Sequence, residues 1–209
     1  MALALVSSRF APPVSASGSL ETFVKDERGK PLSDAVVSLT QVGGTAPPPR
    51  PASAVMDQQN RTFVPLVLAV PVGTAVTFPN RDNIRHHVYS FSSPKRFELP
   101  LYMGTPAAPV LFDKPGVVVL GCNIHDWMVG YVVIVPTPYF AKSDATGGAR
   151  LRDLPAGAYE VRAWHPQQRT AAQAQSVSLD ASGMVRTSFE IDSVARKPRF
   201  KPPLDRLKY

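Results

Sequence analysis

The sequence predicts an all-β protein, because turn-forming residues are abundant and apolar runs are short. The 209 residues include 22 prolines and 13 glycines. Apolar stretches such as 117–120 and 131–135 are bounded by polar or turn residues. This pattern favours short strands over long helices. An apolar content of 44% is enough to fill a core, and the length suits one or two domains.

The first segment, residues 1–18, is interpreted as the remnant of a secretion signal. It opens with an apolar run, 1–6, and small residues follow at 15–18. A complete signal also has a basic region and a longer apolar stretch, so we expect the true start of the chain to lie upstream; a plain tail is the alternative. On the first interpretation the protein is periplasmic or otherwise exported. No run approaches the roughly 18 apolar residues of a membrane-spanning helix, so no transmembrane span is expected.

Residues 19–40 have the pattern of a β-hairpin. Phe23 and Val24 precede a turn at 26–31, and the apolar run 35–39 follows it. The next segment, 43–51, contains four prolines. Proline lacks the backbone donor that a sheet ladder needs, so this segment is predicted to be a linker or an exposed loop.

Residues 55–135 are predicted to form a compact β-unit of the size of a sandwich. Strands are expected at three places: 66–70, 75–78 and 86–91. The segment 92–116 contains five prolines and is expected to be irregular. The apolar runs 117–120 and 131–135 then close the unit.

Residues 136–192 are expected to form a second β-set. The segments 175–179 and 184–191 are predicted to pair with each other across a turn, and one face of the latter carries Val185, Thr187, Phe189 and Ile191. Residues 193–209 form a basic tail that holds much of the net charge of +7. A solvated proline-rich extension is the simplest interpretation of this tail. The alternative is a tail that binds an anionic membrane surface, a nucleic acid or an acidic partner.

Three potential metal ligands recur at a spacing of three residues in the loop between the runs 117–120 and 131–135. Cys122 is the only cysteine of the chain, and His125 and Met128 follow it. A thiolate and two imidazoles with a weak axial thioether suit copper in an electron-transfer site. The second imidazole must come from elsewhere in the chain, which leaves His86, His87 and His165. Alternation along a strand places His86 and His87 on opposite faces, so only one can readily reach the metal.

Other chemistries fit this loop less well. Zinc is disfavoured because structural zinc sites prefer four cysteine or histidine ligands, and covalent haem needs a Cys-x-x-Cys-His motif, which is absent. A nucleophilic pair of Cys122 and His125 lacks a recognisable oxyanion hole or orienting acid.

His165 is expected to cap a strand or lie at the surface. Four aromatic residues are candidates for the shell of the site or for ordinary packing: Tyr89, Tyr102, Trp127 and Tyr131.

Four motifs in this order resemble those of the cupredoxins. They are Val76-Thr77-Phe78-Pro79-Asn80, Arg85-His86-His87-Val88, Lys114-Pro115-Gly116 and the loop with Cys122, His125 and Met128. The short loop is most similar to that of amicyanin, and the chain also resembles small exported proteins labelled methylamine utilisation proteins. The resemblance implies a Greek-key cupredoxin sandwich at residues 55–135.

Carried over to this sequence, the resemblance implies one type 1 copper with His86 as its first imidazole ligand. It further implies Cys122 as the thiolate, His125 as the second imidazole and Met128 as the axial thioether. One position departs from the family, which usually has Asn after the first histidine, where this chain has His87.

The flanking regions resemble a different module. The segments 25–37 and 143–159 are similar to the two halves of a carboxypeptidase-regulatory-like (transthyretin-like) β-sandwich. We therefore expect a discontinuous sandwich made of residues 19–54 and 136–192, with the cupredoxin domain inserted between its halves, since loop tips tolerate insertions.

The leading functional hypothesis is an exported blue-copper protein, not an enzyme, that carries single electrons between redox partners. An acidic partner protein is expected because the chain is basic; a nucleic-acid partner is not. The alternatives are a periplasmic copper carrier or sensor that uses the same ligands, and a non-metal β-sandwich interaction module.

Overall fold

A computed structural model describes residues 17–44, 47–50, 52–106, 108–171 and 174–194. These residues form strands and turns without a helix, which confirms the all-β prediction. The structure accordingly has no helix, within these ranges, that is long and apolar enough to cross a membrane. Nearly all of the predicted signal remnant and of the basic tail lies outside the described residues.

Seventeen strands lie within the described ranges. They are β1 (Gly18–Asp26), β2 (Val36–Gln41), β3 (Ser53–Val55), β4 (Asp57–Gln59), β5 (Thr62–Val64), β6 (Val67–Pro71), β7 (Thr74–Thr77), β8 (His86–Ser90), β9 (Phe97–Tyr102), β10 (Val110–Phe112), β11 (Gly116–Gly121), β12 (Val129–Val135), β13 (Tyr139–Lys142), β14 (Gly148–Leu154), β15 (Gly157–Trp164), β16 (Gln175–Leu179) and β17 (Met184–Ile191).

The central part of the chain forms two facing sheets. One sheet has the strand order β6-β12-β11-β8-β9, and the other has the order β10-β7-β3. The side chains between them are apolar and buried, including Phe78, Phe112, Leu120 and Met128. Antiparallel pairing of β11 with β12 brings Gly121 opposite Val129, so the loop that contains the three potential ligands closes one end of this core.

A short hairpin, β4–β5, lies against this unit as a separate two-stranded sheet. Gln58 anchors it, because its buried amide Nε2 donates to the carbonyl oxygens of Phe78 and Pro79 at 3.2 and 3.3 Å. The hydroxyl of Tyr102 accepts a further bond from that amide at 2.5 Å. The hairpin is thus fixed to Phe78 and Pro79, which directly follow β7, and to Tyr102 at the end of β9.

The flanking strands form a second pair of sheets around a separate core. Their strand orders are β14-β1-β17 and β13-β2-β15-β16. Leu20, Leu39, Tyr159 and Phe189 are among the buried side chains that fill the space between them. Strands that precede the central unit and strands that follow it therefore share one core. The exact domain boundaries and the family of this sandwich remain predictions.

Two predicted strand pairings are wrong. The predicted turn at 26–31 is present, since the amide of Leu32 donates to the carbonyl oxygen of Val24 at 3.0 Å. The strands on either side of it do not pair with each other, however, because β1 pairs with β14 and β17 while β2 pairs with β13 and β15. Likewise β16 pairs with β15, and β17 with β1. In both cases the connecting segment crosses from one sheet to the facing sheet, so that alternate apolar residues of the two strands meet across the core.

The segment 92–116 was predicted to be irregular, but it contains β9 and β10. β9 tolerates Pro100 because it is the edge strand of its sheet. The register with β8 also shifts between the pairs His86–Tyr102 and Val88–Leu99, where β9 has one residue more than β8. Such bulges lie near functional sites and redirect side chains.

The two pairs of sheets contact each other through a small apolar cluster. Val36 of the flanking sheets is buried with Val67, Val133 and Val135 of the central unit. The rings of Tyr131 and Trp164 lie 5.5 Å apart across this contact. Tyr131 therefore belongs to the interface rather than to the shell of the ligand loop.

Candidate metal site

The loop between β11 and β12 holds its three potential ligands in fixed positions. The amide of Met128 donates to the carbonyl oxygen of His125 at 2.9 Å, which closes a tight turn. Cys122 and Met128 are 3% and 1% exposed and belong to the same apolar core. His125 is also buried. The apolar runs on either side of the loop fold into two paired strands and so bring its ends together.

His86, the first residue of β8, completes a cluster with this loop. Its Nδ1 lies 3.9 Å from the sulfur of Cys122, and Nδ1 of His125 lies 3.7 Å from the same sulfur. The three potential ligand atoms all lie within 4.8 Å of one another. The structure thus brings together the thiol and two imidazoles that the sequence analysis selected.

His87 points to a different partner. Its Nε2 lies 2.8 Å from the carboxylate of Glu98, and its ring centroid is 5.5 Å from that of Tyr89. Of the two adjacent histidines, His86 lies next to Cys122 and His87 contacts Glu98 in β9. Which of them binds a metal stays a prediction.

Asp82 holds the other side of the His86 ring. Its Oδ2 lies 2.7 Å from Nε2 of His86. The carboxylate also accepts the amide N–H groups of Asn60 and Arg61 at 2.7 and 2.8 Å. A carboxylate in this position fixes the tautomer of a ligating histidine, with Nε2 protonated and Nδ1 free to bind. Sequence reasoning missed Asp82; its place four residues before His86 was the only available signal.

The pKa shifts of the cluster favour a thiolate. Burial alone raises the pKa of Cys122, but hydrogen bonds from His86 and from the amides of His87 and Ile124 outweigh burial and lower that pKa. Burial lowers the pKa of His86, whereas Cys122 and Asp82 raise it, and the net direction is upward. His86 and Cys122 therefore each favour the charged form of the other in the metal-free protein.

His125 has the opposite shift. Burial lowers its pKa, and the positive charges of His86 and Arg61 lower it further. Its ring is therefore neutral at pH 7, which is the form that binds a metal ion. The centroid of Trp127 lies 5.1 Å from that of His125, so this indole lies against the ring.

Tyr102 and Tyr89 have structural contacts near the cluster. Burial raises the pKa of Tyr102 to about 12, so its hydroxyl stays protonated and donates to the carbonyl oxygen of Phe78 at 2.6 Å. The ring of Tyr89 covers Gly121, where a Cβ atom would come within 2.7 Å of it. Both tyrosines support the strands that carry the ligands.

The spacing of the donor atoms fits a single first-row metal ion. A metal–nitrogen bond of about 2.0 Å and a metal–sulfur bond of about 2.3 Å, at angles between tetrahedral and trigonal, separate the sulfur from the nitrogen by about 3.6 to 3.8 Å. The two sulfur–nitrogen distances, 3.7 and 3.9 Å, are close to this range. Both imidazoles therefore lie at a distance from the Cys122 sulfur that suits a shared ion, and their two nitrogens lie within 4.8 Å of each other.

No protein-family model matches the chain, and no curated protein matches it in sequence. Solved structures that resemble it include a purple cupredoxin from Nitrosopumilus maritimus, 28% identical over 39% of this chain and 96% of the other, with a TM-score of 0.34. A reduced mutant of amicyanin is also 28% identical, over 39% and 80% of the two chains, with a TM-score of 0.34. A copper-containing nitrite reductase from Thermus scotoductus is 27% identical over 55% of this chain and 28% of the other, with a TM-score of 0.37. Each match covers only part of this chain.

Proposed function

We propose that the protein binds one type 1 copper through His86, Cys122, His125 and Met128, and that it carries single electrons between redox partners. The observation that carries the proposal is the buried convergence of the only thiol with two imidazole Nδ1 atoms. A buried thioether follows in the same turn. Copper in electron-transfer sites prefers this set of ligands.

The protein's contribution is to hold the ligands still. When bound, copper supplies a one-electron couple. Asp82 fixes the orientation of His86, and the turn from His125 to Met128 fixes the loop. Ligands that do not move when the charge changes keep the reorganisation small, and the buried apolar core excludes water from the sulfur. These properties suit a carrier better than an enzyme.

We extend the proposal to location and partners. A thiol that is protected by a metal suits an exported protein, and the net charge of +7 favours an acidic redox partner that forms a small, transient contact. The methylamine utilisation label and a transthyretin-like identity for the flanking sandwich belong to the same proposal, since they rest on sequence resemblance.

The test is voltammetry and electron self-exchange on the copper-loaded protein, with a Cu(I) chelator in a parallel experiment. An electron carrier gives a reversible one-electron wave, exchanges electrons rapidly and retains its copper in both oxidation states. A copper carrier or sensor instead releases Cu(I) to the chelator and exchanges electrons slowly, and that result would reject the proposal. A protein that takes up no stoichiometric copper points to the interaction-module alternative.

A further inference from the structure

Arg61 is a buried cation close to the candidate copper site. The residue is 7% exposed. Among the residues that the structure describes, neither Nε nor Nη1 of its guanidinium has a hydrogen-bond partner, and both atoms are buried. Charged side chains are rarely buried in this way unless they are paired, because the loss of hydration is costly. The position therefore needs an explanation other than local stability.

The backbone at this position adds to the cost. Asn60 and Arg61 form the two-residue turn between β4 and β5, and both have left-handed φ angles, 52° and 55°. Turns of this type favour Asn followed by Gly. Arginine has no local advantage at the second position, so its side chain is retained there at some expense to stability.

The same turn is connected directly to a copper ligand. A single oxygen, Oδ2 of Asp82, accepts the amide of Arg61 at 2.8 Å and contacts Nε2 of His86 at 2.7 Å. The backbone amide of Arg61 is thus separated from the first imidazole by one carboxylate oxygen, and the buried side chain extends from this point.

We propose that Arg61 sets the charge environment of the copper site, and that its buried guanidinium favours Cu(I) over Cu(II). This inference rests on the proposed function. In the one-electron step an electron passes from an external donor to the site, Cu(II) becomes Cu(I), and the donor is oxidised. The guanidinium stays protonated throughout. A fixed positive charge favours the oxidation state with the lower positive charge and so raises the reduction potential.

The test compares Arg61→Met with Arg81→Met in the full chain loaded with copper. Each substitution removes one positive charge, but the side chain of Arg81 is 62% exposed and is paired with Asp57 at 3.2 Å. The reduction potential of each protein is measured by spectroelectrochemical titration in low and in high salt. A buried unit charge within about 10 Å, at an effective dielectric constant of about 20, changes an equilibrium about tenfold.

We expect Arg61→Met to shift the Cu(I)/Cu(II) ratio about tenfold towards Cu(II), which is a fall of about 59 mV for one electron. The visible band should be retained, and the shift should persist in high salt because a buried charge is poorly screened. Arg81→Met should change the ratio by less than about twofold, since exposed charges interact weakly. Equal potentials for the two variants, with the band intact, would overturn the inference.

Denaturant unfolding of the metal-free proteins is the second measurement, and it tests the inference even if the reduction potentials cannot be determined. Methionine replaces a guanidinium whose Nε and Nη1 have no hydrogen-bond partner within the described part of the chain by an apolar side chain of similar length. Arg61→Met should therefore unfold at the same or a higher denaturant concentration than the unsubstituted protein. A strong loss of stability would show that Arg61 is a structural group and would also overturn the inference. If the unsubstituted protein binds no copper, the proposed function fails, and that result is distinct from either outcome for Arg61.

Discussion

The carboxylate of Asp82 and the imidazole of His86 lie 2.7 Å apart on the side of the ring that faces away from Cys122. The same carboxylate accepts the two amides of the β4–β5 turn. One side chain therefore connects the hairpin to a predicted metal ligand, and it orients that ligand before any ion is bound. This arrangement makes Asp82 a positioning residue whose effect can be measured.

Asp82→Asn should lower the affinity for Cu(II) by about 10- to 100-fold, the usual loss when a carboxylate behind a ligating histidine is changed. Asparagine keeps one acceptor oxygen, which can serve only one of the two hairpin amides, and it removes the negative charge that supports the imidazole. Competition with a chelator of known affinity measures the change. Asp113→Asn is the matched control, because the side chain of Asp113 is 51% exposed and pairs only loosely with Lys95 at 4.0 Å. Equal affinities for the two variants would contradict this role.

Substitution of the adjacent histidines should separate the ligand from its neighbour. His86→Gln should abolish the intense visible band of the copper-loaded protein, because Nδ1 of His86 lies 3.9 Å from the sulfur of Cys122. His87→Gln should retain the band, because the His87 side chain contacts Glu98 instead. Absorption spectra of both variants after copper titration decide the assignment. A band that survives only in His86→Gln would identify His87 as the ligand.

Gly130→Ala should destabilise the central unit by about 1 to 3 kcal/mol, the usual cost of overpacking. A Cβ at residue 130 would come within 2.8 Å of Cβ of Phe63, a buried residue of β5. Denaturant unfolding of the metal-free protein measures the effect. At Gly183 the nearest atom lies at 3.5 Å, so Gly183→Ala should stay within about 0.5 kcal/mol of the unsubstituted protein.

The pH dependence of stability should include a contribution from His165. This residue directly follows the end of β15, where a strand cap was one expectation, but it is 4% exposed, so the alternative of a surface position is wrong. Its Nε2 lies 3.1 Å from the carbonyl oxygen of Ser33. Burial lowers its pKa, despite the opposing effects of that carbonyl group and of Asp34. The unfolded chain therefore binds the proton more readily than the folded chain, and stability falls as the pH drops through about 6.5.

This contribution can be isolated by comparing the protein with His165→Gln. Between about pH 7.5 and about pH 5.5 the unfolding free energy of the unsubstituted metal-free protein should fall more than that of the variant. The other histidines titrate in both proteins and cancel in the difference. Parallel pH profiles would show that His165 does not contribute.

Sequence patterns predicted which side chains are buried better than they predicted which strands pair with each other. Alternation identified the apolar face of β17, and the two runs around Cys122 are the paired strands β11 and β12. The partners of β1 were missed because they lie more than a hundred residues away, at β14 and β17. Periodicity reports which side of a strand is buried, whereas pairing depends on contacts between distant segments.

The candidate site was predictable where the ligand types themselves carry the signal. Cys122, His125 and Met128 stand at a regular spacing in one loop, and that spacing was sufficient to select them. Asp82 and Arg61 were not found, because their roles depend on how a two-residue turn docks beside His86. Irregular backbone carries no period from which such a contact can be inferred.

The most direct test of the central proposal is the spectrum of the purified protein after copper titration, measured by visible absorption and electron paramagnetic resonance. The proposal predicts one copper per chain, an intense band from charge transfer between the thiolate and Cu(II), and loss of that band in Cys122→Ser. A protein that remains colourless with all four ligands intact, or a Cys122→Ser variant that keeps the band, would contradict it.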